Sequence, residues 1–436
     1  VKPVAATRSL GVSTATLSVA ASMVGTGVFT TTGFLLGDLS APTILVAWLV
    51  GGIASLAGAT AYAELGAAYA ENGGEYLLLG RIVDRRVGFV AGVVSLVVGF
   101  AAPIAACGTA FARYSREVVP HPLPDSVVAC ALIAAATGAH VLHVRIGARF
   151  LSGVTVVQLL ACATLAIGGL AFGDPQHLVP APGWTRELTT GAFASSLVWI
   201  SYAYAGWGAA AYVAGEVRDP GRTLPRALVT GTGLVTLLYL AINAAILASA
   251  PAEALRGQLA VAHVAAREAV GPGAAAGLSV VVATGLTGTV LALSLTGSRV
   301  AEAMARDLPA LRALAGRDAS GSPTRALLAL ALVAMAFVLT STFDALVTFT
   351  GFVLAVFAMA TVLAAGLSRW WEPQRPRPFR VRWAPLVWAV YLVPTAWAVV
   401  ATCRANPWTL AAGGALVGAT AVLGLLTHER PASPGP

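Results

Sequence analysis

The sequence predicts an all-α integral membrane protein of twelve transmembrane helices, grouped five plus five with two more at the C-terminal end. Three observations predict it. Of 436 residues only 11% are charged and 57% are hydrophobic, where a soluble domain carries roughly 25% charge; mean hydropathy is +0.80. Apolar runs near the ~20 residues that cross a bilayer core recur along the whole chain. Glycines interrupt two of those runs, the first and the sixth, at corresponding places in the two groups of five.

By that length the spans fall at 13–37, 43–64, 87–111, 126–143, 150–172, 191–215, 227–250, 273–298, 326–341, 345–368, 383–403 and 408–427. The opening run has no cleavage-type break and reads as a retained helix. Segment 65–86, with "AENGGEYLLLGR", is too polar to span and reads as interfacial. Segment 251–271 opens on Pro251 and closes on Gly271, spacing Leu255, Leu259 and Ala262 at helical intervals; it reads as a short helix on the outer surface. Span 9 is short, ended by "TSTFD". The organisation is a cytoplasmic N-terminus (1–12), a first five-helix repeat (13–172), an outer loop (173–190), a second repeat (191–368), a cytoplasmic loop (369–382), helices 11 and 12 (383–427) and a disordered tail (428–436).

The loop charges agree with this count. Apart from Lys2, all 27 basic residues are arginine. Six of them, Arg113, Arg116, Arg186, Arg256, Arg267 and Arg404, fall outside; the other 21 fall inside. That bias places both termini in the cytoplasm. It also assigns the net charge of +8 to one membrane face rather than to nucleic acid. Cys107, Cys130, Cys162 and Cys403 lie in or beside apolar segments without CxxC spacing, as small buried residues rather than a metal or disulfide framework.

The interruptions carry the functional signal. Span 1 contains "MVGTGVFTTTG", with Gly25-Thr26-Gly27 at its midpoint, and span 6 contains Gly206-Trp207-Gly208. Unwinding at mid-depth frees N–H and C=O groups that hydrocarbon cannot satisfy. Close packing explains one such motif; two in matching positions point to a transporter binding site. The half-helix after the break directs its positive end at a carboxylate, through the N–H groups of Thr26 and Gly27. The half-helix before it offers carbonyls near Met23 and near Tyr202 to an ammonium. An α-amino acid has that shape. A side chain at Gly27 is expected to block the carboxylate.

These residues, with "YAELGAAYAENGGEYLLLGR" after span 2, "AYAGWGAAAYVAGEVRDPGRTLPRAL" across span 6 and "SRVAEAMARD" after span 8, resemble the amino acid–polyamine–organocation superfamily, most closely its L-type amino acid transporter branch. The resemblance covers helices 1 to 10. It implies a leucine-transporter-type inverted repeat working by alternating access, with substrate contacts at Met23, Gly25, Thr26, Gly27 and Tyr202. Tyr202 then falls where the branch has a gating aromatic, and Trp207 matches its Gly-Trp pair. Gly208 departs from the branch's asparagine, and Leu293 stands near where related antiporters for cations have tryptophan. Gln158, in "TVVQLLAC", replaces the lysine of several proton-coupled relatives and cannot carry a proton; it is either a coupling position or an interhelical amide.

Ionisable residues within the spans are few. Glu64, Glu216 and Arg299 at inner helix ends and Asp344 in an outer turn can reach water; alternatively the first three form an inner gate of salt bridges. His140 and His143 read as interfacial. A dedicated cationic site would bury a carboxylate, and no span midpoint offers one. The expectation is therefore secondary active or exchange transport of neutral L-amino acids. A permease for cationic amino acids or amines, and a non-transporting receptor or scaffold, are the alternatives. An enzyme is not expected, since the chain lacks H-E-x-x-H and a plausible nucleophile–base pair. No cofactor is implied; sodium coupling, through oxygens such as those of Ser294 and Thr296, or proton coupling stays open. The partners are the substrate and the bilayer, as monomer or homodimer.

Overall fold

Long apolar runs can satisfy their backbone only internally, and this chain folds almost wholly into helix. The computed structural model describes residues 8, 10–142, 148–307, 309–316 and 323–427; His143 lies outside them. In chain order the helices are α1 (Val12–Met23), α2 (Gly27–Leu35), α3 (Ala41–Tyr69), α4 (Gly74–Ile82), α5 (Arg85–Val94), α6 (Ala102–Arg116), α7 (Asp125–Val141), α8 (Ala148–Phe172), α9 (Gly191–Tyr204), α10 (Ala209–Tyr212) and α11 (Pro220–Ser249). There follow α12 (Ala252–Leu255), α13 (Val261–Ala269), α14 (Pro272–Asp307), α15 (Thr324–Thr340), α16 (Phe343–Trp371), α17 (Ala384–Ala405) and α18 (Pro407–Thr427). Eight helical stretches among the described residues are long and apolar enough to cross a membrane, and three shorter apolar helices accompany them. The only β pairing described is two isolated bridges, Leu10 with Val217 and Asn72 with Val213.

Local chemistry sets several ends. Ser40 and Pro42 open α3, where a missing N–H costs nothing. Asp84, Thr190 and Thr342 cap α5, α9 and α16 by accepting from backbone N–H groups. Between α5 and α6, residues Ser95–Ala101 form a π-helical turn in which the Ala102 N–H reaches back to Val97. Pro103 has no N–H to give and its ring crowds the preceding turn, so the hydrogen-bond ladder slips by one residue there.

Two loops depart from expectation. Segment 251–271 holds a helix, α13, but it does not lie loosely on a surface. Val261, Ala262, His263, Ala265 and Ala266 are buried, packed on α14, α11, α8 and α2. The turn before it docks on the end of α2, where the Gly257 N–H donates to the Gly33 carbonyl at 2.7 Å. α14 also runs nine residues past the 273–298 span, because "RVAEAMARD" is itself strongly helix-forming.

One large core runs through the bundle, and a smaller cluster around Phe89 and Met304 stands beside it. α11 packs along α3, α8 and α1, while α9 lies against α2, α3, α16 and α17. The ends of α1 and α9 thereby meet inside the bundle rather than at its rim.

Candidate functional site

α1 ends at Met23. Val24 turns extended (φ −76°, ψ 93°) and α2 starts at Gly27, so the first apolar run is broken over Val24–Thr26. α9 ends at Tyr204, Ala205 is extended (φ −52°, ψ 141°) and Gly206 takes φ +105°. That φ suits glycine alone, and a second reason demands it: a Cβ on Gly206 would stand 2.3 Å from the Ser22 carbonyl oxygen. The two breaks are thus packed on one another.

The freed backbone groups divide into two sets. Among the described residues no hydrogen bond takes the N–H groups of Gly25 and Gly27, while that of Thr26 faces the Cys107 thiol. These donors open α2, where the helix dipole favours negative charge. A Cβ at Gly25 would meet nothing within 4 Å, so there is room beside them. The carbonyls are better provided for. Tyr239, on α11, donates to the Met23 carbonyl at 2.6 Å and lies 3.2 Å from that of Ala203.

Side chains close the site around those groups. The Thr26 hydroxyl, 2% exposed, lies 2.8 Å from the Tyr202 hydroxyl across the breaks, and Thr30 donates back to the Thr26 carbonyl. Tyr114 donates to the Phe29 carbonyl at 2.8 Å, steadying the first turns of α2. Beyond Tyr239, Thr32, Asn243 and Trp48 form one buried hydrogen-bonded chain. The arrangement offers donors for an anion, a nearby pair of carbonyls and no carboxylate among the described residues at the breaks. It suits a zwitterion.

The other expected residues fall in three places. Trp207 is buried edge-on to Tyr62, with ring centroids 4.6 Å apart, and Tyr391 flanks it. Gly208 faces the Tyr62 ring, where a Cβ would come within 2.9 Å; these two pack beneath the second break. Gly27 faces Ala203, whose Cα would be 2.4 Å from an added Cβ. The expected effect of a Gly27 side chain is accordingly corrected: it collides with the α9 backbone before it can obstruct a ligand.

Gln158 is 5% exposed on α8, laid against Gly285 of α14, with its Nε2 unpartnered. Leu293, half-buried on α14, is two residues from Leu291, whose carbonyl contacts the His140 ring at 2.9 Å. Ser294 is buried and Thr296 exposed.

The three inner charges do not converge. Glu64 is 0% exposed, which overturns its expected access to water. Arg369 grips it through Nε at 2.7 Å and Nη2 at 2.5 Å, the Val381 N–H donates at 2.8 Å, and Arg377 is 3.7 Å away. Glu216 instead accepts from Asn72 at 3.0 Å, and Arg299 is exposed.

Sequence reasoning missed Tyr239, Glu75 and the Arg369–Arg377 pair. Glu75 accepts from the Tyr62 and Tyr212 hydroxyls, each at 2.6 Å. A lone tyrosine amid "VTLLYLAIN" and a glutamate after a double glycine were the available signals.

The family model described as amino acid permease matches residues 10–421. The large neutral amino acids transporter small subunit 2 of Homo sapiens is 28% identical over 418 residues, covering 92% of this chain and 78% of that protein. The Asc-type amino acid transporter 1 of Mus musculus is 26% identical over 423 residues, covering 94% and 79%. The serine/threonine exchanger SteT of Bacillus subtilis (strain 168) is 29% identical over 244 residues, 55% of each chain.

Proposed function

The chain belongs to the amino acid permease family, and from that premise we propose that it exchanges neutral L-amino acids across the cytoplasmic membrane by alternating access. The observation that carries this is the juxtaposition of two helix breaks, with the free N–H groups of Gly25 and Gly27 near the carbonyls of Met23 and Ala203. Relatives named for large neutral amino acids and for serine/threonine exchange support the same substrate class.

In this reading the N–H groups opening α2 bind the carboxylate, and Met23, Tyr202 and the Ala203 carbonyl surround the ammonium. Trp207 and Gly208 shape the floor of the site. The absence of a carboxylate at the breaks, among the described residues, favours neutral side chains: a cation there would be desolvated without a partner. Gln158 and Leu293 are candidate coupling positions. Glu64, with Arg369 rather than Arg299, and Glu216, through Asn72, are candidate inner locks.

The architecture that fits is twelve crossings with both termini cytoplasmic, the first two sets of five related as inverted repeats. α1–α2 and α9–α10 each form one discontinuous crossing, and α17 and α18 follow the repeats.

Counterflow in proteoliposomes tests the proposal. Labelled leucine should enter faster when unlabelled leucine is inside than when the lumen is empty, and alanine or serine should compete. Running the assay with and without a sodium gradient, at two pH values, assigns any coupling ion. Flux equal to that of protein-free liposomes, or competition by amines lacking a carboxylate alone, overturns it.

A further inference from the structure

Five arginines, Arg369, Arg375, Arg377, Arg380 and Arg382, crowd the end of α16 and the segment joining it to α17. Three turn inward. Arg369 and Arg377 hold the buried Glu64, while Arg375 pairs with Glu372 and lies over the Tyr69 ring at 4.0 Å. Arg380 and Arg382 turn the other way. Both are exposed, and among the described residues no hydrogen bond or ion pair takes either guanidinium. Val381 between them is buried, and its N–H donates to Glu64 at 2.8 Å. Its carbonyl accepts from Arg369 at 3.1 Å, which draws the end of α16 and the start of α17 together. The segment is pinned at Val381 with one unpaired cation on each side.

Three tryptophans stand at the same two helix ends. Trp370 and Trp371 on α16 and Trp383 before α17 are 86%, 56% and 75% exposed. Rings of that size are poorly placed in water, whereas the boundary between acyl chains and headgroups suits an indole, apolar with one polar N–H. Trp383 carries a second mark. Its backbone is left-handed, with φ 55° and ψ 34°, a conformation that glycine adopts freely and a residue with a Cβ does not. With most of the ring uncovered, packing inside the chain does little to offset that strain.

We infer that Arg380, Arg382 and these tryptophans form a docking surface for an anionic phospholipid of the cytoplasmic leaflet. Charge complementarity names the occupant. Two unpaired guanidinium groups can each offer paired donors to a phosphodiester, and the rings beside them meet the acyl chains. A zwitterionic headgroup brings its own cation, which cancels the attraction. A soluble anion has no chains to cover the rings. Because Val381 is tied to Glu64 between the two arginines, a bound headgroup also holds the 372–383 segment over the Glu64 lock.

Native mass spectrometry of the purified protein reads the occupancy, in neutral detergent titrated with phosphatidylglycerol or with phosphatidylcholine of the same chains. The protein should retain phosphatidylglycerol about tenfold or more tighter than phosphatidylcholine. Arg380→Gln combined with Arg382→Gln should abolish that preference. The same charge removed from the outer face, by Arg186→Gln with Arg404→Gln, should leave it intact. Phosphatidylglycerol should also raise the unfolding temperature of the unaltered protein and not that of the Arg380/Arg382 variant. Trp383→Gly removes ring and strain together, so it should unfold no lower than the unaltered protein in detergent and yet retain phosphatidylglycerol less tightly; it carries the test should the arginine variant not fold. Equal retention of both lipids, an Arg380/Arg382 variant that keeps the preference, an equal loss in the outer-face variant, undiminished retention in Trp383→Gly, or displacement of the lipid by equimolar inorganic phosphate overturns the inference. None of these measurements involves an amino acid, so they stand or fall apart from the transport proposal.

Discussion

The hydroxyls of Thr26 and Tyr202 lie 2.8 Å apart, joining the start of α2 to the last turn of α9 across both breaks. Each is buried, so neither finds water when the other is removed. Thr26→Val and Tyr202→Phe should each cost about 0.5–1.5 kcal/mol of stability. The double variant should cost less than the sum by about 1 kcal/mol, the signature of partners in contact. Unfolding of the four proteins in one detergent measures it; strictly additive costs would mean that the pair is not bonded in the membrane protein.

Gly25 and Gly27 sit two residues apart and should fail differently. An added methyl at Gly25 meets nothing within 4 Å, whereas at Gly27 it strikes the Ala203 backbone. Gly25→Ala should therefore fold normally and raise KM for leucine about tenfold or more, by occupying the space beside the free N–H groups. Gly27→Val should lose stability by forcing α2 off α9, an overpacking cost of about 1–3 kcal/mol or more. Wild-type KM in a well-folded Gly25→Ala protein would move the carboxylate site elsewhere.

The contrast marks what the sequence could and could not convey. Glycine pairs inside apolar runs betray a broken helix because unwinding there is costly without a purpose, and both breaks were legible on that ground. Which way each glycine faces was not, since the direction of a Cβ depends on the neighbouring helix; Gly27 was read as facing ligand and faces Ala203. Tyr239 was equally hidden: the partners of its hydroxyl are two carbonyls 216 and 36 residues distant. Glu64 near a helix end reads as solvated in one dimension. Only the folded chain brings Arg369 and Arg377 around from more than 300 residues away.

Glu64 supplies the next expectation. Its carboxylate is fully buried while Arg369 and Arg377 are 17% and 8% exposed, so the pair is desolvated on both sides. Glu64→Gln leaves two guanidinium groups facing a neutral amide and also weakens the bond from the Val381 N–H. The loss should be about 3–5 kcal/mol, seen as a large fall in unfolding temperature. A surface-like change, under about 1 kcal/mol, would show that water reaches the site.

Glu187 makes a pH-dependent tie between the loop before α9 and the start of α3. Partial burial pushes its carboxyl up, but the Ser40 N–H with the Thr43 and Ser40 hydroxyls outweigh this and hold it below the ordinary value. A carboxyl lowered by folding adds stability that is complete above its unfolded pKa, about 4.3, and is lost as pH falls through the folded one. The protein should therefore exceed Glu187→Gln in unfolding temperature at neutral pH, the difference shrinking below about pH 4. A gap that persists undiminished in acid would rule out the ionised tie.

Gln158 offers the sharpest test of coupling. Its amide is buried against Gly285 with Nε2 unpartnered, and it does not titrate, so this position contributes nothing to the protein's own pH profile. Gln158→Lys places an amine in the same contact. Burial between α8 and α14 penalises the charged form of that amine. The amine then stays neutral at high pH, close to glutamine in size and polarity, and gains a proton as pH falls. The ratio of variant to wild-type exchange should accordingly stay near one at alkaline pH and decline on acidification, because a charge held between α8 and α14 stabilises one arrangement of those helices over the other. A ratio independent of pH, in a variant that unfolds like the wild type, would separate this position from the transport cycle.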